Sequence, residues 1–320
     1  MPQSLSGTVG DAGEFVLVDA LTSRFPQGDD VLVGPGDDAA VLLLPGGQAV
    51  VSVDMLVQKR DFRLDWSTAT DIGHKAAAAS MSDINAMGGR PTALLVALGA
   101  APDLDAGWAL ELADGLAAEA AKVGCSVVGG DIARADAITI SITAVGVCDH
   151  PVVRRSGAQP GDMVALAGRQ GWAEAGLAVL GRGFRSPRVV VDAHRRPQPP
   201  YDAGPEAAEL GATSMIDISD GLLQDLGHIA SASALAIDVD TSCFEVPEPL
   251  QAVGAALGVD PMRFVLAGGE DFGVVATFGA ARMLPAGWRV IGRVVDAGAP
   301  GVVTVDGALS EGAGGHQQFR

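Results

Sequence analysis

Five stretches of the chain repeat one pattern: an apolar run, a glycine or other small residue, and then an acid. They are GPGDDAAV (Asp37, Asp38), VVSVDML (Asp54), VVGGDIA (Asp131), MIDISDGL (Asp217, Asp220) and LAGGEDF (Glu270, Asp271). A sixth acid, Asp83, sits in SMSDINAMGG among Ala, Ile and Met. An unpaired carboxylate inside a core is strongly unfavourable, so a fold that buries these runs must give each acid a cation or several donors. Taken singly, each has an ordinary explanation as a helix cap, a turn former or a solvated charge. Asp54 and Asp83 weaken that explanation. Asp54 follows Val50, Val51 and Val53 in what is expected to be a core strand, and Asp83 lies near an apolar helix face.

Few basic partners are available, since the chain has only three lysines, Lys59, Lys75 and Lys122. A divalent metal is the better partner. Mg2+ takes hard oxygen ligands, keeps several waters, and is shared between one or two carboxylates and a phosphate. Glycines beside the acids let backbone approach phosphates closely. Scattered acids with glycine neighbours therefore fit a multi-metal nucleotide site, of which the sequence supplies the parts and not their convergence.

The net charge of −18, with no basic stripe, argues against a nucleic-acid binder and otherwise means solubility. With 48% hydrophobic residues the chain can build a core, and with only 4% aromatics that core must be filled by Val, Leu, Ile and Ala. Cys125, Cys148 and Cys243 show no zinc spacing, and their odd number argues against a disulfide framework. No signal peptide or bilayer-length apolar run is evident, so a soluble cytoplasmic protein is expected.

At 320 residues two domains are expected, 1–149 and 150–320. In the first, residues 39–44 and 49–56 are apolar runs split by PGGQ, which reads as a hairpin. Residues 67–89 read as a helix capped by Thr68 and Asp71 and stopped at Gly88 and Gly89. A strand (92–98), a helix (about 104–123) and two strands (125–131, 137–147) complete a β-β-α-β-α-β-β, α+β arrangement with helices on one face. Its other face needs cover, from a partner subunit or from the second domain. The second half reads as an α/β domain. In it, SMIDISD forms a strand running into the helix GLLQDLGHIASAS, and a later helix ends in RFVLAGGEDF.

Competing signatures are missing: no GxxxxGK[ST] loop, no protein-kinase set, no GxSxG elbow, no HExxH, and five histidines without ligand spacing. Read in order, GPGDDAAV, VSVDMLV, GHKAAAASMSDINAMGG, VVGGD, RRSGAQPGD, MIDISDGLLQDLGHI and LAGGEDF resemble the thiamine-monophosphate kinase family, in the superfamily of aminoimidazole ribonucleotide synthetase. The likeness covers almost the whole chain.

The resemblance implies ATP-dependent phosphorylation of thiamine monophosphate to thiamine diphosphate by direct transfer, the last step in making that cofactor. It implies several Mg2+ ions, ATP as co-substrate, and a homodimer whose N-terminal sheets join. By position it implies metal ligation by Asp38, Ser52, the backbone of Val53, Asp54, Asp83, Asp131, Asp217 and Asp220. Gly130, Asp131, Arg155 and Ser219 match nucleotide contacts, and Asp54, Asp83, Asp217 and Arg155 carry the transfer. Glu270 and Phe319 match substrate contacts. Asp37 is expected to bond backbone at its turn. The chain departs from the family pattern at Asp61, where a substrate-contacting His is usual, at Val53, where Thr is frequent, and at Ser80, where Asn is common. Another ATP enzyme of the superfamily, a two-metal phosphohydrolase and a nucleotide-binding regulator are the alternatives.

Overall fold

The computed structural model describes residues 7–35, 40–296, 300–309 and 315. The chain divides into two compact units, Met1–Ile84 with Arg90–Cys148, and Asn85–Gly89 with Asp149–Arg320.

The first unit runs α1 (Val9–Ala12), α2 (Glu14–Thr22), β1 (Val31–Val33), β2 (Val41–Leu42), β3 (Val50–Val57), α3 (Ala69–Ala86), β4 (Arg90–Ala100), α4 (Ala106–Ala120), β5 (Ser126–Arg134) and β6 (Thr139–Val147). Helix α3 starts on a reciprocal cap: Thr68 N–H donates to Asp71 Oδ2 at 3.0 Å, and Asp71 N–H donates to Thr68 Oγ1 at 3.2 Å. Its alanine run favours helix, and Gly88 at φ +81° turns the chain out of it. Helices α3 and α4 meet at two glycines. A Cβ at Gly73 would lie 2.2 Å from Leu112 O, and one at Gly115 2.2 Å from Thr70 O.

Strands β3-β6-β4-β5 form one sheet, with β4 and β5 parallel and the other pairs antiparallel. Ile140, Ile142 and Ala144 of β6 are fully buried on the helix-covered face. Val51, Val53 and Met55 on the other face are 59–63% exposed. Two expectations change here. The 39–44 and 49–56 runs do not pair as a hairpin: β2 pairs with β1, whereas β3 pairs with β6 along all eight residues. The eight-residue ladder satisfies far more backbone than a two-residue strand can, and Pro45–Gly47 takes a 3-10 turn between them. Strand β3, expected as a core strand, is also the edge strand of this sheet, and the sheet's uncovered face is open there as expected.

The second unit contains β7 (Met163–Ala167), α5 (Trp172–Gly181), α6 (Arg188–Arg195), α7 (Ala203–Glu209), β8 (Ser214–Asp217), α8 (Leu222–Ser233), β9 (Ala236–Val239), α9 (Glu248–Leu257), α10 (Met262–Ala267), β10 (Val274–Phe278), β11 (Trp288–Val295), β12 (Val303–Val305) and β13 (Ala308–Leu309). Its sheet order is β13-β12-β9-β11-β7-β10-β8, antiparallel except for β12 beside β9. Alternate residues feed two cores. Val164, Leu166, Ile216 and Val275 pack with α8, while Ala165, Ala167, Met215 and Val274 pack with α7. Such double burial explains why β7, β8 and β10 read as continuous apolar runs. The helix expected to end in RFVLAGGEDF does end there, at Ala267. Beyond it Glu270 and Phe272 take φ +63° and +52°, left-handed values that cannot extend a right-handed helix.

Candidate functional site

In the first unit, β3 and α3 bring three expected residues together. On the covered face of β3, alternation places Ser52 and Asp54 toward α3. Ser52 Oγ donates to Asp83 Oδ2 in a short hydrogen bond. Asp54 is hydrogen-bonded to Ser80 and to Asp83, and burial, followed by the charge of Asp83, pushes its carboxyl up to about 6. Its Oδ2 is buried without a hydrogen-bond partner among the described residues. Two carboxylates in contact, one with an orphaned oxygen, plus a serine hydroxyl form a hard-oxygen donor set that suits Mg2+. Ser80 joins this cluster through its hydrogen bond to Asp54.

Asp131 is not brought into it. One row of the sheet runs Met55–Ser141–Ala97–Asp131, so Asp131 lies on the open face at the opposite edge from Asp54. Three inter-strand steps of about 4.8 Å separate the two strands by about 14 Å. Gly130 shares a row with Asp54 at that same far edge. Val53 is exposed on the open face. Asp61 closes the turn after β3: its Oδ2 accepts from Val57 N–H at 2.7 Å, and Lys59 takes φ +71° in that turn. Asp37, Asp38 and Phe319 lie outside the described residues. Among the described residues no three His, Cys, Asp or Glu side chains converge to hold a metal ion.

In the second unit, β8 ends at Asp217, which is buried, and the chain then enters the loop carrying Ser219 and Asp220. Gln224 Nε2 donates to Asp220 Oδ2 at 2.8 Å. Glu270 N–H donates to Ser219 O at 3.0 Å, which brings the GGEDF turn against this loop. Buried His194 places Nδ1 3.4 Å from Glu270 Oε2. Arg155 is exposed on the loop before β7, which Ser233 Oγ holds by accepting from the N–H groups of Gly157 and Ala158 at 3.2 Å.

Two buried acids have larger roles than the sequence suggested. Asp225 Oδ2 accepts from the N–H groups of Ser219, Asp220 and Gly221, at 3.1 Å each, and burial pushes the carboxyl up to about 7. Asp271 Oδ1 accepts from Ala173 N–H at 3.1 Å at the start of α5, while complete burial raises its carboxyl to about 7. The available signal for Asp225 was its place in the first turn of a helix that follows an acid-bearing loop. His194 carried none, because HRR reads only as a short basic patch.

Comparison with known proteins bears on this geometry. Residues 36–148 match the family model for the N-terminal domain of AIR synthase related proteins. Thiamine-monophosphate kinase of Mycobacterium tuberculosis is 45% identical over 316 residues, covering 98% of this chain and 94% of that protein. The chain belongs to the thiamine-monophosphate kinase family. The mixed α/β, two-domain fold of that family is found in solved structures as well. Thiamine-monophosphate kinase from Stenotrophomonas maltophilia K279a superposes with a TM-score of 0.81 at 32% identity, covering 93% of this chain and 98% of that one. A structure described as AaThiL complexed with AMPPCP and TMP gives 0.78 at 28% identity, covering 97% and 99%. Among the described residues no helix is long and apolar enough to cross a membrane.

Proposed function

We infer that this chain transfers the γ-phosphate of ATP to the phosphate of thiamine monophosphate, giving thiamine diphosphate and ADP. The full-length match at 45% identity to a thiamine-monophosphate kinase carries this reading. The chemistry fits the residues. A phosphate monoester has a second pKa of about 6, so near neutral pH the acceptor is already mostly dianionic and needs no general base. The obstacle is repulsion between that dianion and the triphosphate. Mg2+, when bound, neutralises this charge and supports in-line transfer, which makes catalysis a matter of positioning and electrostatics.

The first unit supplies Ser52, Asp54 and Asp83 as ligands of one Mg2+ site, with Asp38 and the Val53 backbone added by family position. Gly130 and Asp131, about 14 Å away in the sheet, serve ATP and a separate Mg2+ ion. In the second unit Asp217 and Asp220 hold metal, Ser219 contacts nucleotide, and Arg155 adds fixed positive charge. Glu270 and Phe319 contact thiamine monophosphate. Asp61 has one oxygen committed to Val57 N–H, and its other oxygen serves the cationic thiazolium. The exposed Val51, Val53 and Met55 face is the dimer interface, and the protein works in the cytoplasm.

The test is to incubate the protein with ATP, Mg2+ and thiamine monophosphate and quantify products. Equal amounts of ADP and thiamine diphosphate are expected. ADP without thiamine diphosphate would point to another acceptor, inorganic phosphate alone to a hydrolase, and nucleotide binding without turnover to a regulator.

A further inference from the structure

The loop between β8 and α8, residues 218–221, is held from two directions. On one side three consecutive N–H groups, those of Ser219, Asp220 and Gly221, all donate to Asp225 Oδ2 at 3.1 Å. On the other, the carbonyls of Ile218 and Ser219 accept from Phe272 N–H at 3.2 Å and Glu270 N–H at 3.0 Å. The residues making that second contact are themselves constrained. Glu270 and Phe272 both occupy left-handed backbone, which is unfavourable for any residue with a Cβ and persists only where the surroundings enforce it. Gly269, immediately before them, has no room for a side chain, because a Cβ there would lie 2.1 Å from Ser219 O.

Asp225 is only 2% exposed, so its carboxylate has almost no solvent to satisfy it and the loop N–H groups are its partners. Charge-assisted bonds to backbone are stronger than neutral ones, and three on one oxygen fix the orientation of three successive peptide planes. An ordinary Ser or Thr helix cap would satisfy the first turn of α8 without this geometry.

We propose that Asp225 is a positioning residue that locks the 218–221 loop to the Glu270 segment, so that the nucleotide contact at Ser219 and the substrate contact at Glu270 are set together. This rests on the roles given to Ser219 and Glu270 under Proposed function. The coupling runs from the carboxylate through three N–H groups to the loop, and from the loop carbonyls to the 270–272 backbone. Asparagine at 225 keeps the shape and one acceptor oxygen but loses the charge, which weakens all three bonds to the loop N–H groups.

The test uses two variants of the full chain that disturb the lock from opposite sides, Asp225→Asn and Gly269→Ala. Initial-rate kinetics give kcat and the KM values for ATP and thiamine monophosphate, alongside thermal melts. Hydrogen exchange reads amide protection at residues 219–221, 270 and 272. Both variants are expected to raise the two KM values together, by about fivefold or more. Asp225→Asn is expected to lower protection at 270 and 272 as well as at 219–221. A lower melting temperature with both KM values within twofold of wild type would overturn the proposal, as would a change in only one KM. If wild type forms no thiamine diphosphate, the functional reading fails on its own and the exchange data decide the lock. Unchanged protection at 270 and 272 in Asp225→Asn then refutes it. If Asp225→Asn does not fold, Gly269→Ala decides by the same kinetic criterion and by protection at 219–221.

Discussion

Replacing Asp54 with asparagine should make the metal-free protein more stable while crippling it as an enzyme. Asp54 titrates near 6 instead of 3.8, because it is buried and faces Asp83. The native state therefore holds a proton that the unfolded chain has released across that interval, and metal-free stability falls as pH rises from about 4 to about 6. A displacement of roughly two pK units corresponds to about 3 kcal/mol at pH 8, an upper bound because the site is only partly buried. Asp54→Asn removes the loss. At about 2–4 °C per kcal/mol, the EDTA-treated variant should melt several degrees above wild type at pH 8. The gap should narrow by roughly half at pH 5, where wild-type Asp54 is mostly protonated. Adding millimolar Mg2+ should reverse the order, because wild type gains a bound cation and the variant loses a ligand. Turnover should drop at least ~100-fold through lost charge stabilisation. Melting curves with EDTA and with Mg2+ at both pH values make the measurement. A variant that melts below wild type in EDTA at pH 8, or equal stabilisation of both proteins by Mg2+, would show that Asp54 does not carry this burial cost.

Asp271→Asn should likewise raise metal-free stability at pH 8, with the advantage fading toward pH 4, since the native carboxyl is raised to about 7 by burial; a melt series across pH tests it. Gly115→Val should yield little folded protein, because the new side chain would meet the Thr70 carbonyl where α3 and α4 cross; circular dichroism and soluble yield report the outcome. Met55→Glu, on the exposed face of β3, should convert a dimer to monomer by light scattering, and a monomeric wild type would remove that interface. Asp61→Ala should lower stability by about 1 kcal/mol through loss of its bond to Val57 N–H and should raise KM for thiamine monophosphate; thermal melts and initial rates check the two effects.

Helix α3 was legible in the sequence because its signals are local. The Thr68–Asp71 cap, the alanine run and the glycine stop act within a few residues of one another. Asp54 and Asp83 stood out as acids in apolar surroundings, which needs only composition and period. Strand pairing was not legible. Residues 39–44 and 49–56 satisfy the hairpin pattern, yet β3 chose β6, some 90 residues away, because a long ladder outcompetes a short adjacent one. The left-handed backbone of Glu270 and Phe272 was not legible either, because their N–H groups bond carbonyls of residues 218 and 219, far away in the sequence.

By itself, then, the sequence determined which residues carry charge inside apolar segments, where helices start and stop, and which family the motifs resemble. All of these depend on residue identity and near neighbours. Only the tertiary structure decided which acids meet. Ser52, Asp54 and Asp83 converge because β3 lies under α3, and Asp131 stands apart because sheet order puts β5 at the far edge. The part played by Asp225 was likewise set by folding, since a carboxylate acquires three backbone donors only when the loop curls back over its own helix.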